Sequence, residues 1–349
     1  HSWYRRQRQM CIRDSSMNPD KVVTQIKNLG EFIKNNQNSD GSIPSTDEGE
    51  HDHWDHLESA MGLAISGFRD EFEAALDWSK SNQNPDGSWY ELYSSSSPIE
   101  MNKQSNHASY FAVALFCHYL LYKDHTYINS MQEPLTRCLS FISSLQSKSG
   151  AIIWNIDEKG NKDFDYLLTG NSSIAKSIQS ALHLYKVIGE ETNLLKELLI
   201  NLTDAIKNPS NKFDKKKDRS RFSMDSYYPV LSGVLDKSEE TKYIKQTLEK
   251  FYVSDLGIKC VSDQPWVTVA ETCEFVIALM KVDEKDLAKK LLTDVIQISD
   301  ENMIPYMGWQ YKEKIFWPEE QPNWTAGAEI LAFDAVYKYS TASEIFLAN

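Results

Sequence analysis

From Pro19 onward, apolar residues recur at three- and four-residue spacing, the period of an amphipathic helix. Val22, Ile26, Leu29 and Ile33 form the first such stripe. Two kinds of segment alternate along the chain. One kind has an apolar stripe and a charged face: 19–36, 70–83, 127–147, 191–207, 239–253 and 284–299. The other is apolar nearly all round and rich in small residues: 54–66, 106–122, 171–188, 225–235, 267–281 and 324–339. A helix without a polar face is buried on every side. Half-exposed helices alternating with buried ones predict an outer and an inner ring. The fold expected is an all-α (α/α)6 toroid, a double ring of about twelve helices with a repeat of about 50 residues. No Pro-, Gly- or Ser-rich linker divides the chain, so residues 17–349 read as a single toroid domain.

The links between helices share a pattern. "NQNSDGSIP" (36–44), "NQNPDGSWY" (82–90) and "LQSKSGAIIW" (145–154) follow the first three outer segments. Asp-Gly supplies a left-handed turn residue, and the apolar residue after it folds back onto the ring. The glutamine at the helix end, Gln83 or Gln146, is placed to bond the freed turn backbone.

Gln83, Asp86, Gly87, Ser88 and Trp89 resemble the QW repeat of terpenoid cyclases. On those residues the chain resembles the terpenoid cyclase/protein prenyltransferase-like toroid superfamily over residues 19–339. The resemblance implies the toroid, and with it a prenyltransferase- or cyclase-like enzyme, bacterial in type, acting on an isoprenoid or polyprenyl-linked substrate. The catalytic motifs of those enzymes do not follow. There is no Asp-x-Asp-Asp string, the closest being Asp163-Phe-Asp165 and Asp52-His-Trp-Asp55. No His follows His183, so the Asp, Cys and later His of the zinc-dependent protein prenyltransferases are not all present. Related toroids serve carbohydrate hydrolases, lyases and epimerases, so a glycan-acting enzyme stands as the alternative, and a non-catalytic binding toroid as a third.

Polar and aromatic residues gather where each inner helix begins: "HDHWDHLESAM" (51–61), "QSNHASY" (104–110), "DFDYLLTGNSS" (163–173), "DRSRFSMDSYYP" (218–229), "CVSDQPWVTVAETCE" (260–274) and "FWPEEQPNWTAGAE" (316–329). Helix capping explains acids and asparagines at such places. It does not explain Trp and His beside them, and clusters converging on one cavity favour a ligand site. Asp55 and Glu58 share a helix face, and a carboxyl beside another carboxyl is a candidate general acid. The catalytic candidates are therefore Asp55 with Glu271 or Glu320 opposite, His56 as proton relay, and Asp225. The substrate-binding candidates are His51, His53, Trp54, Glu58, His107 and Tyr166 from the first three clusters. The later clusters add Arg221, Tyr227, Tyr228, Asp263, Trp266, Trp317, Glu319 and Trp324. Arg221 is the candidate clamp for an anionic group, and the tryptophans suit sugar faces or an isoprenoid chain equally.

His51-x-His53-x-Asp55-His56 matches the metal motif of metallo-β-lactamases, but it opens a helix here, whereas in that fold it follows β-strands. No cofactor is expected; one divalent ion at His51, His53 or Asp55 stays open.

Composition narrows the classes. The 349 residues carry a net charge of −13, which argues against nucleic-acid binding. The longest apolar runs, Phe111–Phe116 and Phe275–Met280, fall far short of the roughly twenty residues of a membrane span. Five cysteines without a C-x-x-C pair point to a reducing, cytoplasmic setting, and the clusters at the inner-helix starts to a small-molecule or oligomeric substrate in a central cavity. Residues 1–16 hold Arg5, Arg6, Arg8 and Arg13, half the arginine of the chain. They resemble translated sequencing adaptor at the end of a metagenomic reading frame, so a non-native or disordered segment is expected there.

Overall fold

The computed structural model describes residues 17–348; the segment 1–16 lies outside the described residues. Twelve helices form the ring in six pairs, each an outer helix followed by an inner one. They are α1 (Pro19–Asn36) and α2 (His53–Ile65), then α3 (Arg69–Ser81) and α4 (Ser105–Tyr122). Next come α5 (Gln132–Ser144) and α6 (Leu168–Ile188), then α7 (Asn193–Lys207) and α8 (Ser223–Leu231). The last pairs are α9 (Lys237–Phe251) with α10 (Val269–Lys281) and α11 (Lys285–Val295) with α12 (Asn323–Tyr337).

Each inner helix packs on the next, and α12 packs on α2, so the inner ring closes. That closure is tight. A Cβ placed on Gly327 of α12 would stand 2.7 Å from the Glu58 carbonyl oxygen of α2, so only glycine lets these backbones approach. The inner helices α4 and α12 bury most of their circumference, as their all-apolar sequences require. Outer helices such as α7 bury one stripe, Leu195, Leu198, Leu202 and Ile206.

Two segments differ from the periodic reading. The third outer segment, 127–147, is split into a short helix, His125–Ser130, and α5, with Met131 at the joint. The fourth inner helix is only nine residues long and carries Pro229 in its last turn.

The turn pattern is a repeated clasp. The Gln37 side chain donates to Gly41 O (3.0 Å) and to Glu71 O of α3 (2.9 Å). Gln83 donates to Gly87 O (3.1 Å) and to Pro134 O of α5 (2.8 Å). Gln146 donates to Gly150 O and to Leu198 O of α7, both at 3.0 Å. Each glutamine thus ties its own turn to a backbone carbonyl of the next outer helix. Gly87 sits at φ +93°, and a Cβ there would lie 2.0 Å from Arg137 O. Trp89, buried after the turn, donates its indole N–H to Ser79 O at 2.8 Å.

Small antiparallel sheets, which helical periodicity did not predict, rim the end of the ring where inner helices begin. They are β1 (Glu50–His51), β2 (Leu92–Ser94) and β3 (Ser97–Glu100), then β4 (Lys103–Gln104), β5 (Asn155–Ile156) and β6 (Lys162–Asp163). A two-stranded ribbon of β7 (Tyr252–Val253) and β8 (Gly257–Ile258) follows, and β9 (Trp266–Thr268), β10 (Gly308–Gln310) and β11 (Ile315–Phe316) complete the set. Strands of two to four residues are too short to show a period-two alternation. Among the described residues no helix is long and apolar enough to cross a membrane.

Candidate active site

Asp52 caps α2: its side chain accepts the Asp55 N–H at 2.7 Å. That holds the first turn in place and aims Asp55 and Glu58, one turn apart, toward the middle of the ring. Asp55 Oδ2 accepts from the Ser45 hydroxyl at 2.7 Å. Solvent reaches part of Asp55, yet protein surrounds it. Burial, with Asp52, Glu58 and Glu274 nearby, holds its carboxyl well above the usual aspartate range.

Glu58 is buried and accepts from the Tyr110 hydroxyl of α4 at 2.5 Å. Desolvation pushes Glu58 up to about 7, against the pull of that hydrogen bond. Glu274 of α10 accepts from the Tyr227 hydroxyl of α8 and is also driven well above its ordinary value, first by burial and then by repulsion from Glu58. Glu271, one turn before Glu274, is partly exposed. Its Oε1 faces the Cys260 thiol at 3.5 Å, and its buried Oε2 has no partner.

Four inner helices therefore bring Asp55, Glu58, Glu271, Glu274, Tyr110 and Tyr227 into one electrostatic neighbourhood. The wall beside it is aromatic. Trp54 stacks on Tyr110 with centroids 3.7 Å apart and planes 9° from parallel, and Tyr228 meets Trp54 edge-on at 6.1 Å. Trp54 remains partly open to solvent, so a flat face is available beside the acids.

Glu274 and Tyr110 were not among the residues singled out in the sequence. Both lie one turn inside their helices, where apolar neighbours make them read as core. A signal existed: Glu271 and Glu274, three apart in an otherwise apolar helix, repeat the Asp55–Glu58 spacing.

The histidines of the first cluster belong to the packing. His56 Nδ1 accepts the Ile43 N–H at 3.1 Å and Nε2 lies 2.9 Å from Ala75 O, so neither nitrogen is free to relay a proton. His53 spans His107 O (3.0 Å) and Ser79 Oγ (3.1 Å) while stacking on Trp89 at 4.1 Å. His51 is fully buried against Trp78 and Tyr93, and burial pushes its pKa down to about 3. His51 and His53 therefore pack the ring and do not line the cavity. Their ring nitrogens do not converge with Asp55 on a common point, and among the described residues no group of three or more His, Cys, Asp or Glu is placed to hold a metal ion.

Other candidates are also redirected. Asp225 makes a two-pronged pair with Arg219, at 3.0 and 3.3 Å, and so leaves the carboxylate cluster. Arg221 is exposed and spends its guanidinium on Asp263 at 2.9 Å, so this pair is a surface ion pair and no anion clamp. Glu319 is exposed, and Glu320 is half-buried on the rim, where its backbone carbonyl accepts from Met307 N at 2.9 Å. Trp266 and Trp317 meet edge-on at 5.1 Å on the β9–β11 sheet. His107, Tyr166 and Trp324 remain half-buried at the starts of α4, α6 and α12.

Against known proteins, no protein-family profile matches the chain. A curated relative does. The MMP endo-(1,4)-3-O-methyl-α-D-mannosidase of Mycolicibacterium hassiacum is 33% identical over 322 residues, spanning 92% of this chain and 89% of the relative. The chain belongs to the family of this mannosidase. It is thus a member of an enzyme family, and the terpenoid cyclase and prenyltransferase reading is overturned, together with its transferase and isoprenoid implications. The physical reason lies in the clasp: Gln83, Gly87 and Trp89 bond backbone and fill core, so the turn marks the toroid and carries no chemistry.

Solved structures agree on the architecture. A glycosidase in complex with glucose superposes with a TM-score of 0.73 at 8% identity, covering 93% of this chain and all of that one. A D-mannose isomerase reaches 0.68 at 11% identity over 92% of this chain and 98% of its own. An α-amylase from Clostridium perfringens reaches 0.63 at 12%, over 88% and 97%. At such identities these likenesses show the (α/α)6 fold alone.

Proposed function

We propose that this mannosidase-family chain is an endo-acting glycoside hydrolase that cuts α-(1,4)-linked mannose chains carrying 3-O-methyl groups. The observation that carries the reading is the 33% identity to the mannosidase over nearly the whole length of both proteins. The site is compatible with it. Glycoside hydrolysis needs two carboxyl groups across the scissile bond, one to protonate the leaving oxygen and one to take the proton of the attacking water or to act as nucleophile.

Asp55 is the general acid in this scheme, because burial and neighbouring carboxylates raise its carboxyl and favour the protonated form. Glu271 is the base, a neighbour of Glu274 in the same carboxyl cluster with a buried, unpartnered Oε2 to accept a proton. The Asp55 proton passes to the glycosidic oxygen as that C–O bond breaks. Water adds to the anomeric carbon and loses its proton to Glu271. Glu58 and Glu274, each tied to a tyrosine hydroxyl, set the charge around the pair. Trp54 supplies a stacking face for a pyranose ring. A methylated hydroxyl offers no donor and gains from an apolar face, which Trp54, backed by buried Tyr110 and Tyr228, provides.

The substrate is a neutral oligosaccharide, and no nucleic-acid partner is involved. The described cysteines, Cys117, Cys138, Cys260 and Cys273, are all free, which supports a cytoplasmic setting.

The test is incubation with α-(1,4)-linked oligomers of 3-O-methylmannose. Products from mid-chain cuts are expected. No gain in reducing ends, with folded protein, refutes the reading.

A further inference from the structure

A hollow at the start of α8 is not used by the scheme above. It is a cleft of about 580 Å³ between the loop that feeds α8 and the last turns of α9. That volume falls in the roughly 300–1,000 Å³ range of small-molecule sites. Outer helices end, and inner helices begin, on the same face of the ring, so the cleft opens on the side where the acids sit.

An ion pair forms the floor of the cleft. Asp225 is nearly buried and holds Arg219 through both guanidinium contacts, while the guanidinium also lies 4.9 Å over the Phe222 ring. The pair presents fixed acceptors and donors side by side. Asp214 lies beside it in a left-handed backbone conformation (φ 55°), and its N–H donates to Tyr166 O at 2.8 Å. One buried oxygen of Asp214 has no partner, and burial with Asp225 nearby raises its carboxyl to about 7. Tyr243 adds an aromatic wall.

The ligand chemistry follows from the charge. Asp214, Asp218, Asp225 and Glu249 outnumber Arg219 and Lys250 around the cleft, which disfavours anions. Mixed donors and acceptors beside aromatic faces suit a neutral polyhydroxyl ring. The cleft also lies one helical turn from the aromatic wall. Asp225 and Tyr228 are three apart on α8 and so share a helix face, and buried Tyr228 in turn meets Trp54.

We propose that this cleft is a remote subsite that holds a pyranose unit of the same oligosaccharide, away from the bond being cut. The proposal rests on the glycan-hydrolase reading. It assigns Arg219, Asp225, Asp214 and Tyr243 to binding.

The experiment measures binding and turnover of α-(1,4)-linked mannose oligomers of two and eight units, with and without 3-O-methylation. The full chain is compared with Gln246→Trp, which fills the cleft from an exposed position of α9, and with Tyr243→Ala. Calorimetry should find the eight-unit oligomer bound at least tenfold tighter than the two-unit one by the wild type. In Gln246→Trp that advantage should fall to within threefold. In turnover, the ratio of kcat/KM for long over short chains should fall at least fivefold. A length advantage that persists in both variants, or is absent from the wild type, overturns the subsite. Binding of long chains without any cleavage overturns the hydrolase reading alone. Cleavage without a length advantage overturns the subsite alone, and neither binding nor cleavage overturns both.

Discussion

The Tyr110 hydroxyl donates to Glu58 Oε2 at 2.5 Å across the junction of α2 and α4. It joins the second carboxyl of the first cluster to the ring that stacks under Trp54. The bond favours the ionised form of Glu58, and burial opposes it, leaving the group near 7. A charge on Glu58 in turn raises Asp55. The pair therefore tunes the acid without touching the bond to be broken.

Tyr110→Phe keeps the stack and removes the donor. A hydrogen bond to a charged group contributes roughly 1.5–3 kcal/mol, equivalent to about one to two pH units. The Glu58 titration should move upward by that amount, visible in the carboxyl carbon signal by NMR and in the pH dependence of kcat. A titration that stays put or moves down contradicts the assigned bond.

Asp55→Asn and Glu271→Gln should each lower kcat by about 10² to 10⁴. The melting temperature of Asp55→Asn should hold or rise, because the change removes a carboxyl from a crowded, buried cluster. Steady-state kinetics with parallel thermal melts decides the matter; a loss below tenfold removes either residue from the proton-transfer role.

Glu329 predicts how stability varies with pH. It is buried on α12, accepts from Gln25 at 3.1 Å through one oxygen, and leaves the other unpartnered. Burial raises its pKa from the ordinary 4.5 to about 8. The folded state thus keeps a proton that the unfolded chain has released. The contribution of this group is fully present below 4.5 and is lost as pH climbs to about 8. Glu329→Gln cannot ionise, so it should be more stable than the wild type at pH 8, by on the order of 4 kcal/mol, and similar at pH 4.5. Urea unfolding at the two pH values measures this, and equal differences at both would show that Glu329 does not titrate.

Gly87→Ala tests the clasp. It puts a side chain at φ +93° against Arg137 O, 2.0 Å from the new Cβ. A loss of about 2 kcal/mol or more in urea unfolding is expected. Gln83→Ala, which frees Gly87 O and Pro134 O, should lose about 1 kcal/mol. A neutral Gly87→Ala would mean that the turn does not bear on α5.

The Asp-Gly turns and the alternation of half-exposed and apolar helices were legible in the sequence because each is a local property. A stripe such as Val22, Ile26, Leu29 and Ile33 declares its buried face wherever the helix is placed. The same logic located the polar clusters at the inner helix starts. It misread the QW-like turn as a sign of isoprenoid chemistry, since a turn that packs one toroid packs another.

Which cluster residues meet was a tertiary matter. Asp55 and Glu274 are brought together only by closing the ring, and His56 is withdrawn by the carbonyl of Ala75 and the amide of Ile43, neither of which lies on its own helix. Asp225 and Arg221 found partners, Arg219 and Asp263, that no spacing rule selects. The sequence by itself determined the helices, their buried faces and the turns, because those depend on neighbours within a few residues. The tertiary structure alone decided which carboxyls share a proton-holding site, because that depends on burial and charge contributed by four helices at once.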